Sequence, residues 1–171
     1  MSVSNGRGDE GFTDTLGGMR VRKDHPMIDL IGEMDELSAW IGMARSEEKN
    51  PFTSEMLLQI QNDLSNIMSV VSSFLSDKPM LQPQNIPNSK KITDWITVHE
   101  KDIELPATFL QSGSTKLGAL YNVLRTITRR VERKAVAALP QDSSSSAETL
   151  AFLNRLSTLF YFLWLRIDQQ Q

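Results

Sequence analysis

The 171-residue chain carries 18 Lys+Arg and 21 Asp+Glu, a formal net charge of −3, and 40% of its residues are hydrophobic. That is enough chain and apolar content for one globular domain with its own core, and the near-neutral balance argues against a general nucleic-acid binder. The absence of cysteine excludes a disulfide framework, a thiolate metal site and a cysteine nucleophile, and two histidines leave little for a histidine-based metal site.

In chain order, glycine comes first. Gly6, Gly8, Gly11, Gly17 and Gly18 all fall within the first eighteen residues, and each would cost a helix roughly 1 kcal/mol against alanine. The segment therefore reads as a loop, either an ordered or ligand-ordered one or a loose tail, and composition does not choose. The start, Met1 to Asn5, lacks an apolar signal core, which points to an intracellular protein. No run approaches the ~18 apolar residues of a membrane span.

From Pro26 to residue 47, Ile28, Ile31, Met34, Leu37, Ile41 and Met43 approximate the three-and-four spacing of an amphipathic helix, with Pro26 suited to the first turn. Residues 52–77 repeat the pattern through Met56, Ile60, Leu64, Ile67, Val71, Phe74 and Leu75. Pro79, Pro83 and Pro87 then mark a connection. A shorter helix runs from Ser89 to about Glu104, and Pro106 breaks the chain before an irregular 108–114. Residues 115–138 carry a stripe of Leu117, Leu120, Tyr121, Leu124, Ile127, Val131 and Ala135. Pro140 and the serines Ser143–Ser146 form a loop, and Ser145 and Glu148 stand in capping-box spacing before a last helix. Strand alternation is absent. The expected fold class is all-α: a five-helix up-and-down bundle with an irregular glycine-rich N-terminal loop. One domain spans residues 1–171, with the loop over 1–25 and the bundle over 26–168.

Charge is uneven too. Six basic residues (Lys116, Arg125, Arg129, Arg130, Arg133 and Lys134) share the fourth helix with one acid, Glu132. Arg125, Arg129 and Glu132 lie at i, i+4 and i+7 and so share a face. These guanidinium groups need anions from elsewhere, and their planar fork suits phosphate or carboxylate. A solvated or interface face, a phosphate site and a nucleic-acid contact all remain open at this point. The opening loop is a natural partner. Gly8-Asp9-Glu10-Gly11-Phe12-Thr13 offers unobstructed backbone N–H groups and a hydroxyl, and Lys23 can meet a phosphate as a point charge. No GxxxxGK[ST] P-loop occurs. Asp35, next to Met34 at the edge of the first helix's apolar stripe, should seek a cationic partner among the helix-four arginines.

Three blocks resemble one family. They are Gly8-Asp9-x-Gly11-x-Thr13 with Gly17-Gly18-x-Arg20-Val21-x-Lys23; Gly32-x-x-Asp35-Glu36-Leu37-Ser38-x-x-Ile41-Gly42; and Arg125-x-x-x-Arg129-Arg130-x-Glu132-Arg133 followed by Leu153-Asn154-Arg155-Leu156-Ser157. In this order and spacing the chain resembles the PduO-type ATP:cob(I)alamin adenosyltransferases. The resemblance implies a homotrimer with ATP and Mg2+ between subunits, transferring the 5′-deoxyadenosyl group of ATP to Co(I) of cob(I)alamin and releasing triphosphate.

It further implies an ATP site of Asn5, Gly6, Arg7, Gly8, Asp9, Gly11, Thr13, Lys23, Arg129, Arg130, Glu132, Arg133 and Asn154. Arg125 would pair with Asp35 of the adjacent subunit, and Arg125, Asp35 and Arg129 would shape catalysis. Phe109 would press on the lower face of the corrin. No protein ligand of the metal is implied. A corrinoid reductase or an acceptor mutase would be a protein partner; nucleic acid and membrane would not. The setting would be the cytoplasm, or an organellar matrix after removal of a transit peptide.

The chain departs from the family pattern at Asn5, Arg7, Ser112 and Thr158. Two other readings stand beside the enzyme: a divergent, non-catalytic ATP-binding paralogue of the same fold, and a helical interaction module whose arginine face docks an acidic partner.

Overall fold

The computed structural model describes residues 6–76, 87–101, 103–108 and 110–169. Five helices carry the chain: α1 (Pro26–Glu47), α2 (Pro51–Ser73), α3 (Ser89–Glu100), α4 (Lys116–Ala138) and α5 (Ser144–Gln169). Their starts are chemically marked. His25 Nδ1 accepts from the Met27 N–H, with Pro26 at the first helical position. The Asn50 side chain caps α2 through the N–H groups of Phe52 and Thr53. Asn88 caps α3 at Lys90 N, and Thr115 caps α4 at Gly118 N. Each such cap satisfies backbone donors that the helix cannot pair itself and contributes about 1 kcal/mol.

The connecting bonds show the chain alternating in direction. Gln61 of α2 donates to the Ser38 carbonyl of α1. Arg130 and Lys134 of α4 meet Glu33 and Asp29 of α1 in reverse numerical order, and Lys116 meets Glu47. α3 runs parallel to α5, with Ser89 on Glu148 and His99 on Arg166. The main packing pairs are α4 with α5, α1 with α4, α1 with α2 and α3 with α5. Inside lie Leu30, Met34, Leu37 and Ile41 of α1 against Ile60 and Leu64 of α2, with Tyr121 and Leu124 of α4 and Phe152 and Phe160 of α5. All are fully or nearly fully removed from water, the dominant favourable term in folding.

Several sequence expectations need correction. Strands are present: Phe12–Asp14 (β1) and Arg20–Arg22 (β2) pair antiparallel, with Thr13 opposite Val21. The turn joining them supplies only five residues, and Gly18 takes φ +80°, a conformation natural to glycine. So short an alternation is too brief to register as a strand pattern. Met43, placed on the α1 stripe, is 48% exposed, and Ala44 takes the core position instead.

α5 begins at Ser144, so Ser144–Ser146 are helical rather than loop. Glu148 closes no capping box; its carboxylate accepts from Ser89 N and ties α5 to the start of α3. α3 stops at Glu100, one turn short of the expected end. Most of the expected connection between Pro79 and Pro87 lies outside the described residues.

Candidate functional site

The hairpin fixes the glycine loop. Asp9 N donates to Gly6 O, Gly11 N to Gly8 O, and Lys23 N to Gly11 O, so residues 6–11 form consecutive tight turns beside β2. Gly6 and Gly11 have φ of +69° and +80°. A Cβ on Gly8 would lie 3.1 Å from Lys23 Nζ, so the lysine ammonium sits over the loop in space that glycine leaves free. Arg20 ties this loop together. It donates to the Arg7 carbonyl at 2.8 Å, lies over the Phe12 ring at 5.6 Å, and approaches Glu10 and Asp14. Arg7 also pairs with Asp14 at 3.3 Å. The result is a loop held in shape by its own backbone bonds, with glycines that leave its surface open and an ammonium beside it, chemistry suited to phosphate. Leu16 N donates to Ser72 Oγ, and a Cβ on Gly17 would run into Ser76, so the hairpin rests against the end of α2.

The basic face of α4 divides in two. Arg130 Nε meets Glu33 and Arg130 Nη2 meets Glu36, both at 2.6 Å, while Lys134 meets Asp29 at 2.6 Å and Glu33 at 2.9 Å. The expected outside anions for these two cations are supplied by α1. Burial pushes the Glu33 carboxyl up, but its bonds from Lys134 and Arg130 outweigh that and hold it below the ordinary value. Bonding to Glu33 and Glu36 raises Arg130, and bonding to Asp29 and Glu33 raises Lys134.

Arg125, Arg129 and Arg133 point elsewhere. Among the described residues none of them forms an ion pair with a carboxylate. Arg133 Nη1 donates to the Arg129 carbonyl, and Arg125 Nε donates to Asn122 Oδ1 at 2.9 Å. Burial and then the charge of Arg129 lower the Arg125 pKa from its ordinary value. Glu132 accepts from Asn154 Nδ2 at 3.1 Å, joining two expected ATP residues across α4 and α5.

Beside Arg125 is a cavity of about 270 Å³ walled by Pro106, Thr108, Leu110, Asn122, Tyr161 and Trp164. The sequence gives no sign of Asn122, and the sign of Tyr161 and Trp164 is an aromatic run, Phe160-Tyr161-Phe162-Leu163-Trp164, which periodicity alone assigns to core.

Asp35 corrects another expectation. It is exposed rather than at a buried edge, and among the described residues no helix-four arginine reaches it. At 3.6 residues per turn it sits roughly 200° around α1 from Glu33, on the flank away from α4. The glycine loop lies on that same far side, where the hairpin residues Thr13, Asp14, Thr15 and Leu16 share an open cavity of about 300 Å³ with Ile28, Ile31 and Met68. The structure thus gathers Gly6, Arg7, Gly8, Asp9, Gly11, Thr13 and Lys23 on one flank of α1. It gathers Arg125, Arg129, Glu132, Arg133 and Asn154 on the other, and it does not join the two sets within one chain. Asn5 and Phe109 lie outside the described residues.

Known proteins resemble this chain over nearly its whole length. The cobalamin adenosyltransferase family profile matches residues 3–167. A corrinoid adenosyltransferase of Mycobacterium tuberculosis is 31% identical over 160 residues, covering 91% of this chain and 83% of its own. Another, from Bacillus subtilis, is 31% identical over 162 residues, covering 90% and 80%. A variant PduO-type ATP:corrinoid adenosyltransferase from Lactobacillus reuteri, solved with cobalamin and ATP, superposes with a TM-score of 0.80 at 25% identity, over 98% of this chain and 91% of that one. With a family match over nearly its whole length, a five-helix bundle of the same shape and an arginine row left open for anions, the chain belongs to the cobalamin adenosyltransferase family.

Proposed function

We propose that the protein transfers the 5′-deoxyadenosyl group of ATP to the Co(I) of cob(I)alamin, at a site that two copies of the chain complete. In this step the cobalt of the substrate attacks C5′, the C5′–O bond breaks, a Co–C bond forms, and triphosphate leaves with the electron pair. No proton moves, so no Ser, Cys or His nucleophile and no general base is required. The chain's part is in-line positioning and stabilisation of charge on the departing triphosphate.

The observation that carries the reading is the division across α1. The phosphate-binding loop with Lys23 occupies one flank and the carboxylate-free arginines Arg125, Arg129 and Arg133 the other. Neither set alone surrounds a triphosphate. A second copy brings the Gly6–Gly11 amides and Lys23 of one chain to Arg129, Arg133 and the Glu132–Asn154 pair of the next, and Asp35 of one to Arg125 of the other. A homotrimer is a closed ring that repeats this contact without leaving a free end. Arg130, held by Glu33 and Glu36, acts by fixing α4 on α1 rather than as a phosphate ligand.

Corrinoid binding falls to the cavity beside Arg125, whose Tyr161, Trp164, Leu110 and Pro106 give it apolar walls, with Phe109 from the same segment against the corrin. Magnesium fits as a companion of the nucleotide. Among the described residues no group of three or more His, Asp or Glu side chains is placed to hold a metal, and this cation is commonly bound through substrate phosphates and water. Among the described residues no helix is long and apolar enough to cross a membrane, and a reaction consuming ATP and Co(I) fits the cytoplasm.

The test is an anaerobic assay with chemically reduced cobalamin and ATP. Loss of the Co(I) absorbance with formation of the cobalt–carbon product and triphosphate is expected. ATP binding without turnover would instead support a non-catalytic relative.

A further inference from the structure

The last turn of α5 reaches both ends of the segment that walls the Arg125 cavity. At one end, Gln169 Nε2 donates to the Glu104 carbonyl at 2.7 Å. At the other, the Thr115 hydroxyl donates to Asp168 Oδ1 at 3.0 Å, while Thr115 Oγ1 accepts from Gly118 N at 2.9 Å as the cap of α4. The second oxygen of Asp168 accepts from the indole Nε1 of Trp164 at 2.7 Å, and Trp164 is itself a cavity wall, packed edge-on to Tyr161. A single carboxylate therefore holds an indole of the cavity and the cap of the helix that carries Arg125. Gly118 permits the approach: a Cβ there would run into Asp168 Oδ1 and Thr115 Oγ1.

Pro106, Thr108 and Leu110 line the cavity from the segment between α3 and α4, whose described residues adopt no helix or strand, and such a segment keeps a shape only where side chains tie it down. A carboxylate that accepts from a hydroxyl and an indole at once sets both groups by hydrogen-bond direction, not only by contact.

We propose that the last turn of α5 is a two-point anchor, Asp168 on Thr115 and Trp164 and Gln169 on Glu104, that sets the width of the cavity beside Arg125 and thereby its affinity for the corrinoid. This rests on the corrinoid assignment of that cavity given above. Asp168 and Gln169 are positioning residues: they touch the walls and not the substrate. On the ATP side, Arg129 and Arg133 stand about four to five turns further along α4 than the cap that Asp168 holds, and the glycine loop belongs to another part of the chain.

The experiment uses Asp168→Asn, Gln169→Ala and the double variant of the full chain. Gln169 is exposed and makes one bond, so its variant folds even where Asp168→Asn is impaired. Hydrogen exchange of residues 104–115 is measured first, without any substrate. A rise of about ten-fold confined to this segment is expected from loss of its tethers, and an unchanged rate there overturns the anchor. Steady-state kinetics follow: KM for cob(I)alamin rises roughly five- to ten-fold with kcat and the KM for ATP within about two-fold. A parallel rise in both KM values overturns the assignment to the corrinoid side. A wild-type protein that does not turn over cobalamin refutes the function proposed above, and the exchange measurement still decides the anchor.

Discussion

Glu33 is the hinge of the ladder that joins α1 to α4. It accepts from both Arg130 and Lys134, and its side chain is only 16% exposed. Glu33→Gln removes the shared charge but keeps the shape. A charge-assisted hydrogen bond contributes about 1.5–3 kcal/mol, but Arg130 keeps Glu36 and Lys134 keeps Asp29, and solvent around the half-exposed arginine screens the rest. The expected loss is therefore about 1.5 kcal/mol, or roughly 3–6 °C in melting temperature for a chain of this size.

The loss should depend on pH in one direction. The folded carboxyl titrates below the ordinary value, so its stabilisation is complete above the unfolded pKa of about 4.3 and disappears as pH falls through the lower folded value. Urea unfolding of wild type and variant at pH 7 and stepwise down to about pH 3 measures the gap. A gap that stays constant with pH would refute the electrostatic account. Arg130→Gln supplies the functional control: a similar loss of stability with the KM for ATP within about two-fold is expected. A ten-fold rise in that KM at unchanged stability would make Arg130 a nucleotide ligand.

Three further outcomes follow from the same geometry. Arg129→Ala should weaken ATP binding by about 1.5–3 kcal/mol, roughly 10- to 150-fold, as one charge-assisted bond to the triphosphate is lost; equilibrium binding of ATP reads this, and unchanged affinity would remove Arg129 from the site. Gly8→Ala should displace the Lys23 ammonium, 3.1 Å from the new Cβ, and weaken ATP binding about five-fold, close to 1 kcal/mol, with helix content unchanged by circular dichroism. Burial first, and then its bond to Glu48, hold the Tyr121 hydroxyl far above the ordinary tyrosine value. Its contribution to stability is therefore complete below about pH 10 and is lost as pH rises beyond. Tyr121 should not ionise while the protein is folded, and a reversible tyrosinate step before unfolding in a spectrophotometric titration of Tyr161→Phe would contradict the placement of Tyr121.

Much of this architecture is written in the sequence. Helices α1 and α4 follow from long stripes at the period of 3.6 and from a proline or threonine at the right boundary, because burial of one face is repeated over six turns. The hairpin escapes because three residues per strand give too little alternation to distinguish from a loop. The separation of Arg130 and Lys134 from Arg125, Arg129 and Arg133 also escapes. Charge counting sees an unbalanced helix, whereas the balancing acids Asp29, Glu33 and Glu36 lie about a hundred residues earlier. Tyr161 and Trp164 are hidden for a different reason. An aromatic side chain that walls a cavity and one that fills a core obey the same periodicity, and only the shape of the neighbouring segment tells them apart.

The two-copy site proposed above would also make the enzyme's defects exchangeable. A chain lacking Lys23 retains a sound arginine row, and a chain lacking Arg129 retains a sound loop. Two such inactive proteins, unfolded together and reassembled in equal amounts, would pair sound loop with sound row at about one contact in four in a randomly mixed ring. Activity would then appear in a mixture of two dead proteins, which a site contained in one chain never shows.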